Sequence, residues 1–194
     1  MVYSSVLSRT RVLAVAIAAA LLALVASQTF AERPAARAGA ATAGVVHITM
    51  TAKGIKTGDF KGDSTGSKLI TVVGYQSEVI SPRDPASGLP TGQRVHKPIV
   101  ITKEVGASSP QFFNAVATNE TLSKVVITFS RSQGEDGKQV TFYIVTLTNA
   151  SVSDFKQYTS GSSFLEDVSF TFQKIQVEDP ISKTSASDDF ETRV

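Results

Sequence analysis

Hydrophobic and polar side chains alternate most clearly near the end of the chain, over residues 164–178. Three apolar side chains there share one face of an extended chain: Val168, Phe170 and Phe172. After Gln173 the apolar positions move to the opposite face, because Ile175 and Val177 follow with the other parity. Such a change indicates a β-bulge or a strand that passes from one sheet to another. We therefore predict a long strand here, of the kind that closes a barrel or a two-sheet sandwich.

The same two-residue alternation predicts strands along most of the remaining chain. The predicted strands are 46–51, 68–80, 95–105, 124–131 and 139–150, with 152–158 continuing the last of them. Gly74 inside its strand indicates a bulge or a close approach of two backbones. A turn at 132–138 makes a hairpin of the two strands around it. About seven strands paired in sequence with one helix predict a mainly β fold, a closed or nearly closed antiparallel β-barrel with one α-helix packed on its side.

The one predicted helix begins near Ser108 and ends at Asn119. Ser108 has the side chain of an N-cap, Pro110 suits the first turn, and Gln111 lies at capping-box distance from the serine. The apolar stripe of this helix consists of Phe112, Phe113, Val116 and Ala117. We expect this stripe to lie against the barrel.

Two loops separate the predicted strands of the first half. Residues 54–67 are rich in glycine and predict turn and loop. Residues 81–94, SPRDPASGLPTGQR, contain three prolines and two glycines. A loop of this length exceeds what a compact domain needs, so it is either functional or mobile.

The start of the chain has the pattern of a secretory signal peptide. Arg9 and Arg11 precede an unbroken apolar run at 12–26, and Thr29 and Ala31 are small residues at the −3 and −1 positions of a cleavage site. The alternative is an N-terminal membrane anchor. The apolar run is shorter than the ~20 residues that span a bilayer, so we favour cleavage and expect no stable membrane anchor afterwards.

These patterns divide the chain into four predicted parts. They are a signal peptide at 1–31, a flexible linker at 32–44, a β-barrel domain at 45–178 and a disordered tail at 179–194. The linker is rich in alanine and glycine, and the tail is polar without periodicity. The predicted location of the protein is periplasmic or secreted.

The composition excludes several kinds of site and partner but does not indicate a particular function. The chain has no cysteine, which excludes disulfides and thiolate metal sites. It has 19 Lys and Arg against 17 Asp and Glu, and loss of Arg9 and Arg11 with the signal peptide makes the two numbers equal. Without a basic block, nucleic acid is not an expected partner.

One short motif suggests nucleophilic catalysis. Residues 62–66, GDSTG, match the G-x-S-x-G pattern of a nucleophile elbow, with Ser64 as the candidate nucleophile. That chemistry requires a strand-to-helix turn and a nearby histidine, whereas here a strand follows the motif. We therefore interpret the motif as a plain loop.

The histidines and neighbouring acids are the other candidates for chemistry. His47 and His96 could join Asp59, Asp63 or Asp84 at a metal ion. These residues do not have ligand spacing, and histidine on the solvent face of a strand is the ordinary case. We predict no catalytic residue, no cofactor and no metal.

The order of the segments carries a family resemblance. The segments are GDSTGSK, LITVVGYQSEV, GQRVH, IVITKEV, ASSPQFFNAV, KVVITFSR, VTFYIVTLTNASVS and LEDVSFTFQKIQVE. In this order they resemble the Hcp (haemolysin co-regulated protein) family, the tube subunit of bacterial type VI secretion. The resemblance covers residues 46–178, and ITKEVGASSPQFFNAV and LEDVSFTFQKI are its most specific parts. The family fold, a β-barrel with one helix on its side, agrees with the fold predicted from the strand pattern.

The resemblance implies a structural protein and not an enzyme. Family members form hexameric rings that stack into a secreted tube, which can carry effectors in its lumen. The implied partners are further copies of the chain and the spike and effector proteins of the secretion machine. By resemblance, 81–94 corresponds to an extended loop that reaches a neighbouring subunit or the next ring. The predicted interface residues are Arg83, Asp84, Leu89, Arg94 and Lys103.

An alternative function follows from the signal peptide, because Hcp proteins usually lack one. The chain could be a separately exported monomeric β-barrel that binds a small molecule, a glycan or a host surface. It has no tryptophan and four tyrosines, which is little stacking surface for a sugar. The tube subunit therefore remains the favoured interpretation.

Overall fold

Eleven strands and one helix make up the part of the chain that the computed structural model describes, residues 45–133 and 137–190. In chain order they are β1 (Val46–Gly54), β2 (Gly58–Asp59), β3 (Ile70–Val72), β4 (Gly74–Gln76), β5 (Val79–Ile80), β6 (Val95–His96), β7 (Ile99–Glu104), α1 (Ser109–Ala117), β8 (Thr121–Gln133), β9 (Lys138–Ser160), β10 (Ser163–Asp179) and β11 (Thr184–Asp189). The predicted signal peptide and linker lie outside the described residues, as does most of the turn between β8 and β9.

Antiparallel pairing connects the main strands in the order β2-β1-β8-β9-β10-β7-β4. β3 pairs with β1, while β4, one residue further along the chain, pairs with β7. Segment 70–76 therefore pairs at its two ends with β1 and β7, which lie next to opposite ends of this order. The antiparallel pairing and the single helix confirm the predicted mainly β, barrel-like fold.

Three adjacent strands change the face that they bury at the same level of the sheet. The buried positions change parity between Leu122 and Val125 in β8 and between Leu147 and Ala150 in β9. In β10 the half-buried Phe172 and the buried Ile175 differ in parity in the same way. Asn149 and Gln173 face each other at this level and are bonded through their side-chain amides at 2.6 Å. The change of face predicted at Gln173 is confirmed, and the structure shows that the corner runs across the neighbouring strands.

Helix α1 packs on the barrel through one large aromatic side chain. The ring of Phe112 is fully buried, with its centroid 4.8 Å from that of Phe60 and 6.0 Å from that of Phe170. Ala115, one turn further along, is also fully buried. These contacts confirm the helix but only part of its predicted inward stripe: Phe112 is buried and Val116 is half-buried, whereas Phe113 is 61% exposed and Ala117 is also exposed.

The start of the helix differs from the predicted capping box. Ser108 has helical backbone angles, φ −80° and ψ −18°, whereas a side-chain cap requires an extended residue. Its hydroxyl is buried and, within the described residues, makes no hydrogen bond. Oε1 of Gln111 instead accepts a hydrogen bond from the backbone N–H of Lys61 at 2.7 Å. The glutamine therefore connects the helix to the loop after β2.

Two strands that the sequence predicted as continuous are divided. Residues 68–80 form β3, β4 and β5, and residues 95–105 form β6 and β7. The divisions occur where the chain leaves the barrel after β4 and returns before β7, so that β5 and β6 form a separate two-stranded sheet. At Gly74 the close contact is with a side chain and not with a second backbone, because an added Cβ would lie 3.1 Å from Cβ of Thr102 and 4.0 Å from its nitrogen.

The C-terminal residues correct another prediction. A disordered tail was expected at 179–194, but residues 184–189 form β11, which pairs with the second half of β10. Asp179 begins the turn between the two strands, because its Oδ1 accepts the N–H groups of Ile181 and Ser182, both at 2.9 Å. A polar sequence without apolar alternation thus still adds a strand, because main-chain pairing does not need an apolar face.

Candidate assembly interface

The surface feature that stands out is a hairpin beside the barrel, which we call the arm: β5, loop 81–94 and β6. Val79 pairs with His96 and Ile80 with Val95, and these strands pair with no other strand of the described residues. The arm exposes four large apolar side chains: Val79, Ile80, Leu89 and Val95. Exposed apolar side chains gathered on one projection are typical of a protein–protein contact.

The distal part of the arm is an ordered turn built around Asp84. Oδ1 of Asp84 accepts hydrogen bonds from the N–H of Ala86 at 3.0 Å, from the N–H of Ser87 at 2.7 Å and from the hydroxyl of Ser87 at 2.8 Å. These bonds, that from the Ser87 N–H first, lower the pKa of Asp84 below its usual value. The backbone of Asp84 also bonds to Leu89 and Gly88, each at 2.8 Å. Asp84 therefore shapes the turn from within.

Arg83 and Leu89 have different positions in the same turn. Arg83 forms an isolated β-bridge with Pro90, and its Nη1 donates to the carbonyl of Gly88 at 3.1 Å. Leu89 lies between these residues and is 65% exposed. Of the predicted interface residues, Leu89 is thus the apolar one and its side chain is exposed, while Arg83 and Asp84 hold the turn on which it lies.

Arg94 and His96 connect the base of the arm to the C-terminal strand. Nε and Nη2 of Arg94 donate to the two carboxylate oxygens of Asp188, and Nε2 of His96 lies 2.7 Å from Oδ2 of the same residue. Asp188 lies in β11, within the region predicted to be disordered. Sequence reasoning missed it because a single aspartate in a polar tail gives no signal of a tertiary partner.

The structure places Lys103 away from this surface. Its side chain is fully buried in β7, and its Nζ lies 2.9 Å from Oε1 of Glu166, which is also fully buried. A side chain enclosed in this way cannot reach another subunit, so we leave Lys103 out of the interface proposed below. The sequence placed it on the outside because lysine is seldom fully buried unless it is paired.

The Ser64 motif has the geometry of a loop. The carbonyl of Ser64 accepts the N–H of Ser67 at 2.9 Å in a tight turn, and the chain then enters β3 instead of a helix. Asp63 accepts the N–H of Thr71 at 2.6 Å, and Asp59 pairs with Lys68 at 2.5 Å. The Lys68 hydrogen bond lowers the pKa of Asp59. These acids stabilise the loop, which agrees with the interpretation of the motif as a plain loop.

The described part of the chain offers neither a metal site nor a membrane-spanning helix. Over 45–133 and 137–190, no three or more His, Asp or Glu side chains are grouped so that they could hold a metal ion. Nor does any helix within these ranges combine the length and hydropathy of a bilayer span. His96, one of the candidate metal ligands, is bonded to Asp188.

Comparison with known proteins gives consistent matches. A family model described as "Type VI secretion system effector, Hcp" matches residues 49–178. A curated protein of Pseudomonas aeruginosa, "Major exported protein", is 40% identical over 170 residues, which cover 79% of this chain and 98% of that protein. The solved structure "Secreted protein Hcp3 from Pseudomonas aeruginosa" is 34% identical, with a TM-score of 0.63, and covers 75% of this chain and 99% of its own. The structure of an Hcp1 protein from E. coli is 26% identical, with a TM-score of 0.69, and covers 75% of this chain and 99% of its own.

The barrel, its lateral helix and these matches define a class of protein, the structural components of type VI secretion systems. Within that class the chain belongs to the Hcp family, since the family model covers more than half of it. Membership confirms the predicted family and the predicted function as a non-enzymatic tube subunit. It also agrees with a secreted protein, and none of these matches favours the alternative of a monomeric binding protein.

Proposed function

We propose that this chain assembles into hexameric rings, that the rings stack into a tube, and that the arm makes the contact from one copy to the next. The observation that carries the proposal is the exposed apolar surface of the arm. Leu89 at its tip and Val79, Ile80 and Val95 at its base would all be solvated in a monomer. Burying such side chains between copies removes apolar surface from water, which is the main favourable term in association.

Order within the arm supports the proposal. The hydrogen bonds around Asp84 and the bridge between Arg83 and Pro90 hold the turn in one conformation before any partner binds. A preformed contact surface loses less conformational entropy on association than a loop that must first become ordered. The arm therefore suits a repeated contact between identical copies.

The proposal includes processing of the N-terminus. Residues 1–31 would be removed on export, and the protein working in the periplasm or outside the cell would begin after Ala31. Spike and effector proteins of the secretion machine are the further partners we propose. The mass of the protein recovered from culture supernatant and from cell lysate tests the processing. Recovery of the full-length chain in both fractions would refute it.

Assembly is tested by native mass spectrometry and electron microscopy of the purified protein. We expect a hexamer that forms tubes, and a Leu89→Ser variant that still forms hexamers but fewer or shorter tubes. Ile55→Ser is the matched control, because Ile55 has nearly the same exposure, 66%, but lies on the turn after β1. A wild-type protein that stays monomeric at every concentration would refute the proposed assembly. If Leu89→Ser formed as many tubes as the wild type, the arm would have no part in the assembly.

A further inference from the structure

A carboxylate from the C-terminal strand binds two residues of the arm, one on each side of Val95 in the sequence. Asp188 accepts two hydrogen bonds from the guanidinium group of Arg94, where loop 81–94 ends. Its Oδ2 also lies 2.7 Å from Nε2 of His96 in β6. A guanidinium paired with both oxygens of a carboxylate fixes direction as well as distance. We call Arg94, His96 and Asp188 the carboxylate clamp.

Aromatic side chains enclose the clamp on the barrel side. The ring centroid of His96 lies 5.5 Å from that of Phe172 in β10 and 5.3 Å from that of Phe190, which follows β11. The N–H of Phe190 donates to the carbonyl of Gln173 at 3.0 Å, which fixes the end of the C-terminal strand. The side chains of His96 and Asp188 are only 12% and 17% exposed. Partial burial reduces screening of the charge on Asp188 by water and salt.

The arm has particular need of such an anchor. β5 and β6 form a two-residue ladder of their own, and Lys97 bonds back to Glu78 within the same hairpin, through its backbone at 3.0 Å and its side chain at 2.9 Å. An isolated two-stranded hairpin is marginally stable in water. Its direction relative to the barrel therefore depends on contacts at its base, and the clamp supplies charged ones there.

We propose that Asp188 is a positioning residue, which together with Arg94 and His96 fixes the angle at which the arm leaves the barrel. The C-terminal strand would then contribute to the contact between copies by orienting the arm, although the family match ends at residue 178. The expected effect on stacking rests on the function proposed above. The effect on the arm itself does not, because the clamp lies within one chain.

The experiment compares Asp188→Asn with Asp189→Asn in the mature protein. Both variants remove one negative charge from β11, but the Asp189 carboxylate lies 3.8 Å from Lys174 of β10, whereas that of Asp188 binds Arg94 and His96. Trypsin cleavage after Arg94 measures release of the arm, native mass spectrometry measures the ring, and electron microscopy measures tubes. Thermal unfolding reports whether the fold is intact.

For Asp188→Asn we expect cleavage after Arg94 to be faster by about tenfold, because a charge-assisted hydrogen bond is lost. The ring should persist while tubes become fewer and shorter, and Asp189→Asn should match the wild type. Equal cleavage rates in Asp188→Asn and wild type would overturn the clamp. Loss of rings together with unfolding would also overturn it, because Asp188 would then support the whole fold. If the wild type forms no rings or tubes, the proposed function fails, yet the cleavage rates still test the clamp.

Discussion

Lys103 and Glu166 form a fully buried ion pair, with Nζ and Oε1 2.9 Å apart. Both charges have further partners. The hydroxyl of Ser109 donates to Oε1 of Glu166 at 2.8 Å, Nε2 of Gln157 donates to its Oε2 at 3.0 Å, and Nζ of Lys103 donates to the carbonyl of Glu104 at 2.5 Å. Because Ser109 is the first residue of α1, the pair joins β7, β9, β10 and the helix at one point.

Removing one member of this pair should destabilise the fold strongly. We expect Lys103→Met or Glu166→Gln to lower the free energy of unfolding by about 3–5 kcal/mol, because an uncompensated buried group remains. Lys103→Met combined with Glu166→Met should recover much of that loss. Urea unfolding at pH 7 measures all three. Single variants as stable as the wild type would show that water reaches the pair.

Glu120 should make stability dependent on pH in the acid range. Its carboxylate is buried, which by itself raises the pKa, but hydrogen bonds from the Thr57 hydroxyl at 2.6 Å and from the N–H groups of Thr57 at 2.7 Å and Lys56 at 2.8 Å outweigh this and lower the pKa of Glu120. A carboxyl group with a lowered pKa stabilises the fold above its unfolded-state pKa, and the contribution disappears as pH falls through the folded-state value.

The variant Glu120→Gln tests this coupling. It should be less stable than the wild type at pH 7, and the difference should shrink as the pH falls below about 4.3, the ordinary glutamate pKa of the unfolded chain, toward the lowered pKa of Glu120 in the folded protein. Melting temperatures between pH 3 and 8 provide the measurement, with Glu78→Gln, at an exposed position just before the arm, as the control. A difference that stays constant across this range would contradict the pKa shift.

Gly62 should tolerate no side chain. A Cβ there would lie 2.4 Å from the carbonyl oxygen of Leu69 and 2.7 Å from its nitrogen, both of which belong to the backbone. We expect Gly62→Ala to lower the free energy of unfolding by about 2 kcal/mol or more, since a backbone contact can be relieved only by moving the loop. Gly92→Ala is the matched control, because the nearest atom to its Cβ is 3.9 Å away. Equal stability of the two variants in urea would refute the close contact.

Asn149 should be replaceable by glycine but not by a β-branched residue. Its φ of 50° lies in the left-handed region, where a branched side chain is strained by about 1–2 kcal/mol. We expect Asn149→Val to lose at least that much, and Asn149→Gly to lose less, because glycine gives up only the hydrogen bond to Gln173. Thermal unfolding compares the two. A valine variant as stable as the glycine variant would show that the corner can relax.

Local side-chain patterns predicted much of the barrel. The change of face at Gln173 was visible because Phe172 and Ile175 differ in parity, and strand parity depends only on neighbouring residues. Loop 81–94 was also predictable, because its prolines and glycines interrupt strands whatever lies elsewhere in the chain. The sequence did not show that 68–80 leaves the barrel after Gln76, because the β-branched residues Val79 and Ile80 favour a strand although they face solvent.

The features that sequence reasoning missed depend on distant partners. Lys103 is buried because Glu166 lies beside it. Glu166 is distant in the sequence, so the residues around Lys103 do not predict the pair. Asp188 likewise meets Arg94, which is far away in the chain. Ser108 does not cap the helix, because its backbone angles are already helical. A serine that caps through its hydroxyl needs an extended backbone.

The barrel is joined unevenly around its circumference. β9 and β10 share a ladder along most of their lengths, whereas β3 and β4 contribute only three residue pairs each, to β1 and to β7. On heating, segment 70–76 should therefore separate from the barrel before β8, β9 or β10 do, and its amide hydrogens should exchange with solvent faster than theirs.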